Sequence, residues 1–513
     1  MTARTYRFAP RDRTGWVLGL SGPQVLTLGA ALLVGVFASS NGMSVLISAL
    51  PVIAGAGVAF GRLGGRPLLE AGPPALAWAM RAARHRTRWQ AQPSAEVQLG
   101  AAGEEKTDED PKAPRPLALP PPLDGQEVMG VDAGAYDASL AGGHIAVIHD
   151  PRTRTYAVTV PAVGTQFALT EREEQEHLLA LWGDALAGFC QEKGPVSFIR
   201  WAEWAAPAGM GEQLAYLAEH GHADPGDPAV ASYRSLLASA GPMSTRHEVL
   251  LTVAVAADKV TSGRRHRGDE RAACIEALLA QVRLFVARME AAGLVVGHPL
   301  SAEELEQALW VRLDPGAVSV VEDRPRGLAQ RAGVVPLAGR TPTTADAAFA
   351  HWSVDGSLHR SFYVAEWPRL QVGPDWMQAL VLWASAVRSL AVVYEPVPPR
   401  RSQRAIHRDA TKLASDEDHR RSRGFRISAH HRRAQADVEE REAELVSGYA
   451  ELAYTGVVSV AAPDADGLER ACDRLVQVAA GCQIQLQPLD GRHDQAAAAC
   501  LPLARALAPA RVA

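Results

Sequence analysis

Between Thr14 and Gly61 the chain carries no Asp, Glu, Lys, Arg or His, a run of 48 residues. One membrane helix needs only about 20 apolar residues, so the run is too long for a single span. It divides at Ser39-Ser40-Asn41-Gly42, a polar turn signal. The pattern predicts a hairpin of two membrane helices, at about Pro23 to Ala38 and about Met43 to Phe60, with Pro51 bending the second. Arg4, Arg7, Arg11 and Arg13 precede the run, and Arg62, Arg66, Arg81, Arg84, Arg86 and Arg88 follow it. Arg on both flanks places both termini in the cytoplasm and the turn outside a cytoplasmic membrane. A cleaved signal peptide fits less well, because no small-residue cleavage site follows a single short apolar core. Gly57 and Gly61 form a GxxxG, a weak packing signal in a chain with 44 glycines.

The 513 residues leave ample length for soluble domains after the hairpin. With 52 basic and 57 acidic residues, net charge names no partner. Only five of the basic residues are Lys, and this Arg bias beside heavy Ala usage has the character of a GC-rich bacterial genome. The five cysteines form no CxxC, which argues against a disulfide framework and against a zinc site. The expected divisions are a cytoplasmic arm with the membrane hairpin at 1–66 and a juxtamembrane amphipathic helix at 67–90. A linker at 91–125 follows, then α+β domains at 126–340 and 341–513, the second carrying an Arg-rich helical insertion at 400–445. In the juxtamembrane stretch, Trp78, Met80 and Trp89 alternate with Arg81, Arg84, Arg86 and Arg88, as in a helix held against lipid headgroups. The linker has an acidic run and then six prolines between Pro111 and Pro122, so it is expected to be extended and unpacked.

Alternation and helical periodicity organise the rest. His144 to Val160 reads as two strands about a D-P-R-T turn. Thr170 and Glu173 read as a capping box for a helix to about Cys190. Strands are expected at Pro195 to Trp204 and His247 to Ala257, with a helical stretch at about Gly211 to Ser239 between them. An amphipathic helix is expected at Asp269 to Ala292, and one capped by Ser301 and Glu304 after it. In the second half, strands at His359 to Pro368 and Val387 to Pro398 flank a helix at about Trp376 to Ala386. A strand at Gly456 to Pro463, a helix from Asp464 to Ala480 stopped by Gly481, and a last strand follow. The expected fold class is a two-helix transmembrane hairpin followed by an α+β soluble region, with ferredoxin-like layers plus a helical hairpin.

No catalytic signature accompanies this framework. None of the five lysines follows a Gly, so no P-loop exists, and HExxH, GxSxG and a Rossmann GxGxxG are absent. His220 with His222, and His430 with His431, lack further partners at metal-ligand spacing. No catalytic residue, cofactor or metal ligand is therefore expected. Trp201, Trp204 and Trp367 read as core or interface anchors. One charge run stands out. Between Arg400 and Arg433 lie ten Arg and Lys412 against four acidic residues. The candidates for partner contact there are Arg400, Arg401, Arg404, Arg420, Arg421, Arg423, Arg426, Arg432 and Arg433. Phe425 is the one aromatic interleaved with them, so base stacking is poorly served and nucleic acid is not the favoured partner.

At the membrane entrance, Gly19, Leu20, Ser21 and Gln24 spell G-L-S-x-x-Q. The stretch Gly19 to Gly35 resembles PrgI-type small inner-membrane subunits of type IV secretion and conjugation systems, and the likeness covers about the first 90 residues. The stretch Val438 to Ala504 is similar to the N-terminal domain of the traffic ATPase of the same machines. Gly448, the strand Val457 to Val460, Asp464 to Leu468, Gly481, Gln495 and Leu501-Pro502 take that family's places. The family then runs into a RecA-like motor with a P-loop, whereas this chain ends at Ala513 without one. The resemblance implies a membrane subunit fused to the docking half of the ATPase. It implies a non-enzymatic, oligomeric scaffold that works with other translocation subunits and a separate P-loop traffic ATPase. Two other classes stay open: a membrane-tethered regulator or sensor binding nucleic acid or protein, and a membrane-anchored enzyme of unrecognised class.

Overall fold

A computed structural model describes residues 20–63, 66–91, 113–164, 167–207, 216–217, 220–221, 227–240, 245–261, 269–315 and 342–506. The charge-free run forms helices α1 (Gly22–Ser40) and α2 (Val45–Phe60), packed antiparallel across a turn at Asn41 and Gly42. α1 is long and apolar enough to cross a membrane, and α2 is apolar but shorter. The pair approaches closely at Gly35, where an added Cβ would meet the Ser48 carbonyl oxygen at 2.7 Å. Gly57 of the GxxxG has no neighbour there. A short antiparallel pair, β1 (Arg62–Leu63) and β2 (Arg66–Pro67), leads into α3 (Leu68–Ala83) and β3 (Arg88–Gln90).

The first soluble half runs β4 (Arg115–Pro116), β5 (Glu127–Asp132), β6 (His144–Asp150), β7 (Thr155–Gly164), α4 (Arg172–Ala187) and β8 (Val196–Pro207). It continues through α5 (Pro228–Ala240), β9 (Thr245–Ala256), α6 (Ala257–Thr261), α7 (Glu270–Ala291), β10 (Leu294–Val296) and α8 (Ala302–Leu313). The second half runs β11 (Thr344–Ala347), β12 (Trp352–Val354), β13 (Ser357–Glu366), α9 (Gln378–Val381), β14 (Val387–Pro396), α10 (Pro399–Ser422) and α11 (Ala429–Val446). It ends with β15 (Leu452–Ala462), α12 (Ala465–Gly481), β16 (Gln485–Pro488) and α13 (His493–Cys500).

All the long strands join one antiparallel sheet, ordered β3-β11-β12-β13-β15-β14-β8-β9-β7-β6-β5-β4. Within it the same strand order occurs twice. The run β7-α4-β8-β9-α7-β10 places its strands β10-β7-β9-β8, and β13-α9-β14-β15-α12-β16 places its own β16-β13-β15-β14. The two units meet edge to edge, β8 against β14, with Val392 opposite Trp201. Alternation along these strands sends Ile199, Leu251 and Val253 to the face covered by α4 and α7, and Leu390 and Val458 to that covered by α9 and α12. The other face, with Phe198, Ala202, Ala391 and Val457, packs on α8, α13 and residues 501–504. That same core takes Val128 and Ile148 from one end of the sheet and Ala347, Trp352 and Val354 from the other, so the sheet curls round it. Arg200, fully buried on this face, donates to the carbonyls of Leu501, Leu503 and Arg505 and pins residues 501–505 to the sheet.

Several expectations are corrected. Separate ferredoxin-like layers were expected; the sheet is continuous instead, because β8 and β14 each leave an edge that the other satisfies. The second half of the 91–125 linker packs: Leu117, Leu119 and Leu123, spaced between the prolines, are buried in the core and β4 pairs with β5. Residues 92–112 of it lie outside the described residues. Thr170 does not cap α4. Its hydroxyl donates to the Phe167 carbonyl, and Glu171 takes the cap position. α12 ends at Gly481 as expected, but the residue that turns the chain is Gln483, in the left-handed conformation (φ +59°), so that the buried Ile484 turns back and its N–H reaches the Ala479 carbonyl. The helix expected over Trp376 to Ala386 is helical only at α9. Ser301 and Glu304 do form the capping box of α8, and Asp464 caps α12 through the Gly467 N–H.

Candidate functional site

The residues singled out from sequence fall at three places. At the first, Ser21 precedes α1, and Gln24 Oε1 accepts from the Ser21 backbone N–H at 2.9 Å. The Gln24 Nε2 donates to the Ala59 carbonyl at 2.9 Å. The last carbonyls of a helix have no partner within it, and in an apolar setting water does not supply one. Gln24 thus satisfies the end of α2 from the start of α1 and closes the open end of the hairpin. Leu20 is half-buried beside it, and Gly19 lies outside the described residues.

The second place is the junction of hairpin and body. The first turn of α3 packs back on α2, the Leu68 N–H bonding the Gly61 carbonyl at 2.9 Å. Trp78 and Arg81 then point into the soluble body. Trp78 Nε1 donates to the Ala347 carbonyl at 2.8 Å, and its ring stands edge-on to Phe349 at 5.3 Å. Arg81 pairs with the buried Asp494 in the first turn of α13 and donates to the Gly491 carbonyl at 2.8 Å. β3 adds to the sheet beside β11, Trp89 opposite Ala345. The Trp and Arg that read as lipid contacts are therefore split: Trp78, Arg81 and Trp89 hold the body.

At the third place, α10 and α11 form a hairpin inserted between the neighbouring strands β14 and β15. Its 24-residue first helix spans about 36 Å. This separates the nine Arg into two groups. Arg400, Arg401 and Arg404 lie at the base, where the Arg400 N–H donates to Glu192 at 3.1 Å. Arg420, Arg421, Arg423, Arg426, Arg432 and Arg433 gather at the tip with exposed Phe425. No acidic residue occurs between Arg420 and Arg433. Three tip residues pair along their own helix: Arg420 with Asp416 at 3.0 Å, Arg421 with Glu417, and Arg433 with Asp437 at 3.6 Å. Arg423, Arg426 and Arg432 are exposed. Across the hairpin, His431 faces Asp416 at 3.6 Å and Arg441 faces Asp409 at 3.6 Å, so polar pairs rather than a wide apolar seam hold it.

Electrostatics distinguishes the two helices. Arg420 and Arg421 lie in the last turn of α10, where a cation complements the helix dipole. Arg432 and Arg433 follow the first turn of α11, past the residues on which that helix's dipole acts strongly, and Arg433 pairs with Asp437 one turn on. The dipole therefore accounts for Arg420 and Arg421 and bears on none of the other tip Arg.

The remaining candidates are accounted for as packing. Trp204 is fully buried, Trp201 joins the two helical cores, and Trp367 stands against Trp376 and Tyr454. His220 stacks on Tyr216, and His222 lies outside the described residues. All five cysteines are free and buried; burial pushes the Cys472 thiol up to about 11 and that of Cys500 up to about 12, so both stay protonated at neutral pH. Among the described residues no group of three or more His, Cys, Asp and Glu is placed to hold a metal ion. The sequence missed the Gln24–Ala59 link and the Arg81–Asp494 pair, both between residues far apart in the chain. The chain matches no protein-family model and no curated protein.

Proposed function

We propose that this chain is a membrane-anchored scaffold of a type IV secretion or conjugation-like machine, and that the α10–α11 tip docks a separate P-loop traffic ATPase. One observation carries the proposal. Six Arg and an exposed Phe425 stand at the end of a long helical hairpin, with no acidic residue between Arg420 and Arg433. A cluster of one sign presented this way is complementary to an acidic partner surface. The repeated βαββαβ units read as two ferredoxin-like layers fused at one edge, a broad platform for assembly with other translocation subunits. In the same reading α1 and α2 both span the cytoplasmic membrane and both termini are cytoplasmic, from the Arg flanks. A cysteine replacing Asn41 should then be labelled from outside intact cells; external labelling at Ser94 instead would refute that topology. Docking is tested with a photo-crosslinking residue at Phe425 in cells. Adducts to a P-loop chain support it, and adducts to nucleic acid move the tip to a substrate-contact role.

A further inference from the structure

α3 has a second face. With Trp78 and Arg81 turned into the body, Pro73, Leu76, Ala77 and Met80 fall on an adjoining exposed stripe, at the i, i+3, i+4, i+7 spacing of one helix face. Leu76 is 63 % exposed and Met80 48 % exposed. Arg84 and Arg86, also exposed, follow at the C-terminal end. By contrast, α4, α7, α8 and α12 turn their apolar faces to the sheet. Its occupant is indicated by position. α3 begins eight residues after the end of α2, and its first turn packs on that helix, so the stripe follows directly on the α1–α2 pair, whose near end exposes Val58 and Phe60.

We infer that the Pro73–Leu76–Ala77–Met80 stripe lies in the headgroup boundary of a bilayer, with Arg84 and Arg86 against acidic lipid phosphates. This rests on the membrane reading of α1 and α2. Apolar side chains flanked by Arg on one helix face suit that boundary, and the acidic lipids of a cytoplasmic leaflet supply the complementary charge. α3 is then a two-sided wedge: lipid on one face, and on the other the Trp78, Arg81 and Gly491 contacts. The body is held at a fixed attitude to the membrane rather than swinging on a tether.

The test uses the full chain in nanodiscs of phosphatidylglycerol and phosphatidylcholine. Single cysteines replace Leu50, Met80 and, as a control on the exposed side of α12, Val476. The five native cysteines are buried, so a fluorophore is directed to the introduced one. Labels at 50 and 80 should be quenched by a lipid-borne nitroxide and shielded from aqueous iodide, with the reverse at 476. A label at 80 open to iodide while that at 50 is lipid-quenched overturns the wedge and leaves the membrane reading standing. A label at 50 open to iodide overturns both. As a second variant, Leu76→Cys repeats the measurement should Met80→Cys fail to fold, and the same outcomes apply.

Discussion

His359 shows what a single buried group contributes. It lies on β13 with its Nε2 2.8 Å from the Leu313 carbonyl and its ring beside Trp352. Burial pushes its pKa down to about 4, against a smaller upward pull from that carbonyl. In the unfolded chain the ordinary value is about 6.5. Between those values the unfolded chain binds a proton that the folded protein does not. The stability this group lends is therefore complete above about pH 6.5 and is lost as pH falls toward about 4, on the order of 3 kcal/mol. His359→Gln keeps a donor for Leu313 and removes the titration. Urea denaturation at pH 7 and pH 4.5 should show a smaller pH-dependent loss in the variant; an unchanged loss would assign it elsewhere. Asp150 adds to acid sensitivity in the same direction. Burial raises its pKa, but the hydrogen bonds and charge of Arg505 outweigh that and hold it below the usual carboxylate range. The fully buried Arg388–Glu203 pair, joined by His247 at 2.8 Å, ties β14 to β8 where the two units meet. Breaking such a pair from one side costs about 3–5 kcal/mol, whereas the exposed i,i+4 pairs of α10 contribute about 0.3–0.5 kcal/mol each.

Among the elements, α3 depends most on one distant residue. Gly491 has φ +71°, and a Cβ there would meet Trp78 Cβ at 3.0 Å and the Pro74 carbonyl oxygen at 3.3 Å. Gly491→Val combines a β-branched side chain in the left-handed region with that collision. Amide exchange should rise across α3 while β8, β9 and β14 stay protected; an equal rise in those strands would make Gly491 a residue of the whole fold. Most of the long strands and the longer helices were legible in the sequence, since alternation and capping signals are local: β6–β7 about Pro151 to Arg154, and the box of Ser301 and Glu304. The packed linker was not, because proline composition hid three leucines whose burial depends on distant strands. The orientation of α3 was hidden for a related reason. Trp and Arg at helical spacing serve lipid and protein alike, and only the partners Ala347 and Asp494 decide between them.

Across the whole molecule, the two βαββαβ units arise from strand runs visible in the sequence, but their fusion through β8 and β14 joins residues nearly two hundred positions apart. The Arg run was visible too, and its division into base and tip needed the hairpin's length. The α10–α11 hairpin follows β14 at the end of the sheet where Tyr394 pairs with Ile199. The charged hairpin thus projects from one end of the sheet, beside Glu192, and α1–α2 is tied on through α3. The docking role rests on the tip charge, so the deciding measurement is charge reversal, Arg420→Glu with Arg421→Glu and Arg423→Glu, in the full-length chain. Membranes solubilised from cells are assayed for co-purification of a P-loop motor chain, and the purified protein for DNA affinity at about 0.15 M salt, where phosphate contacts by Arg still register. The expected result is loss of the motor chain with weak DNA affinity unchanged. Retention of the motor chain, or tight DNA binding abolished by the same reversal, would contradict docking through this tip.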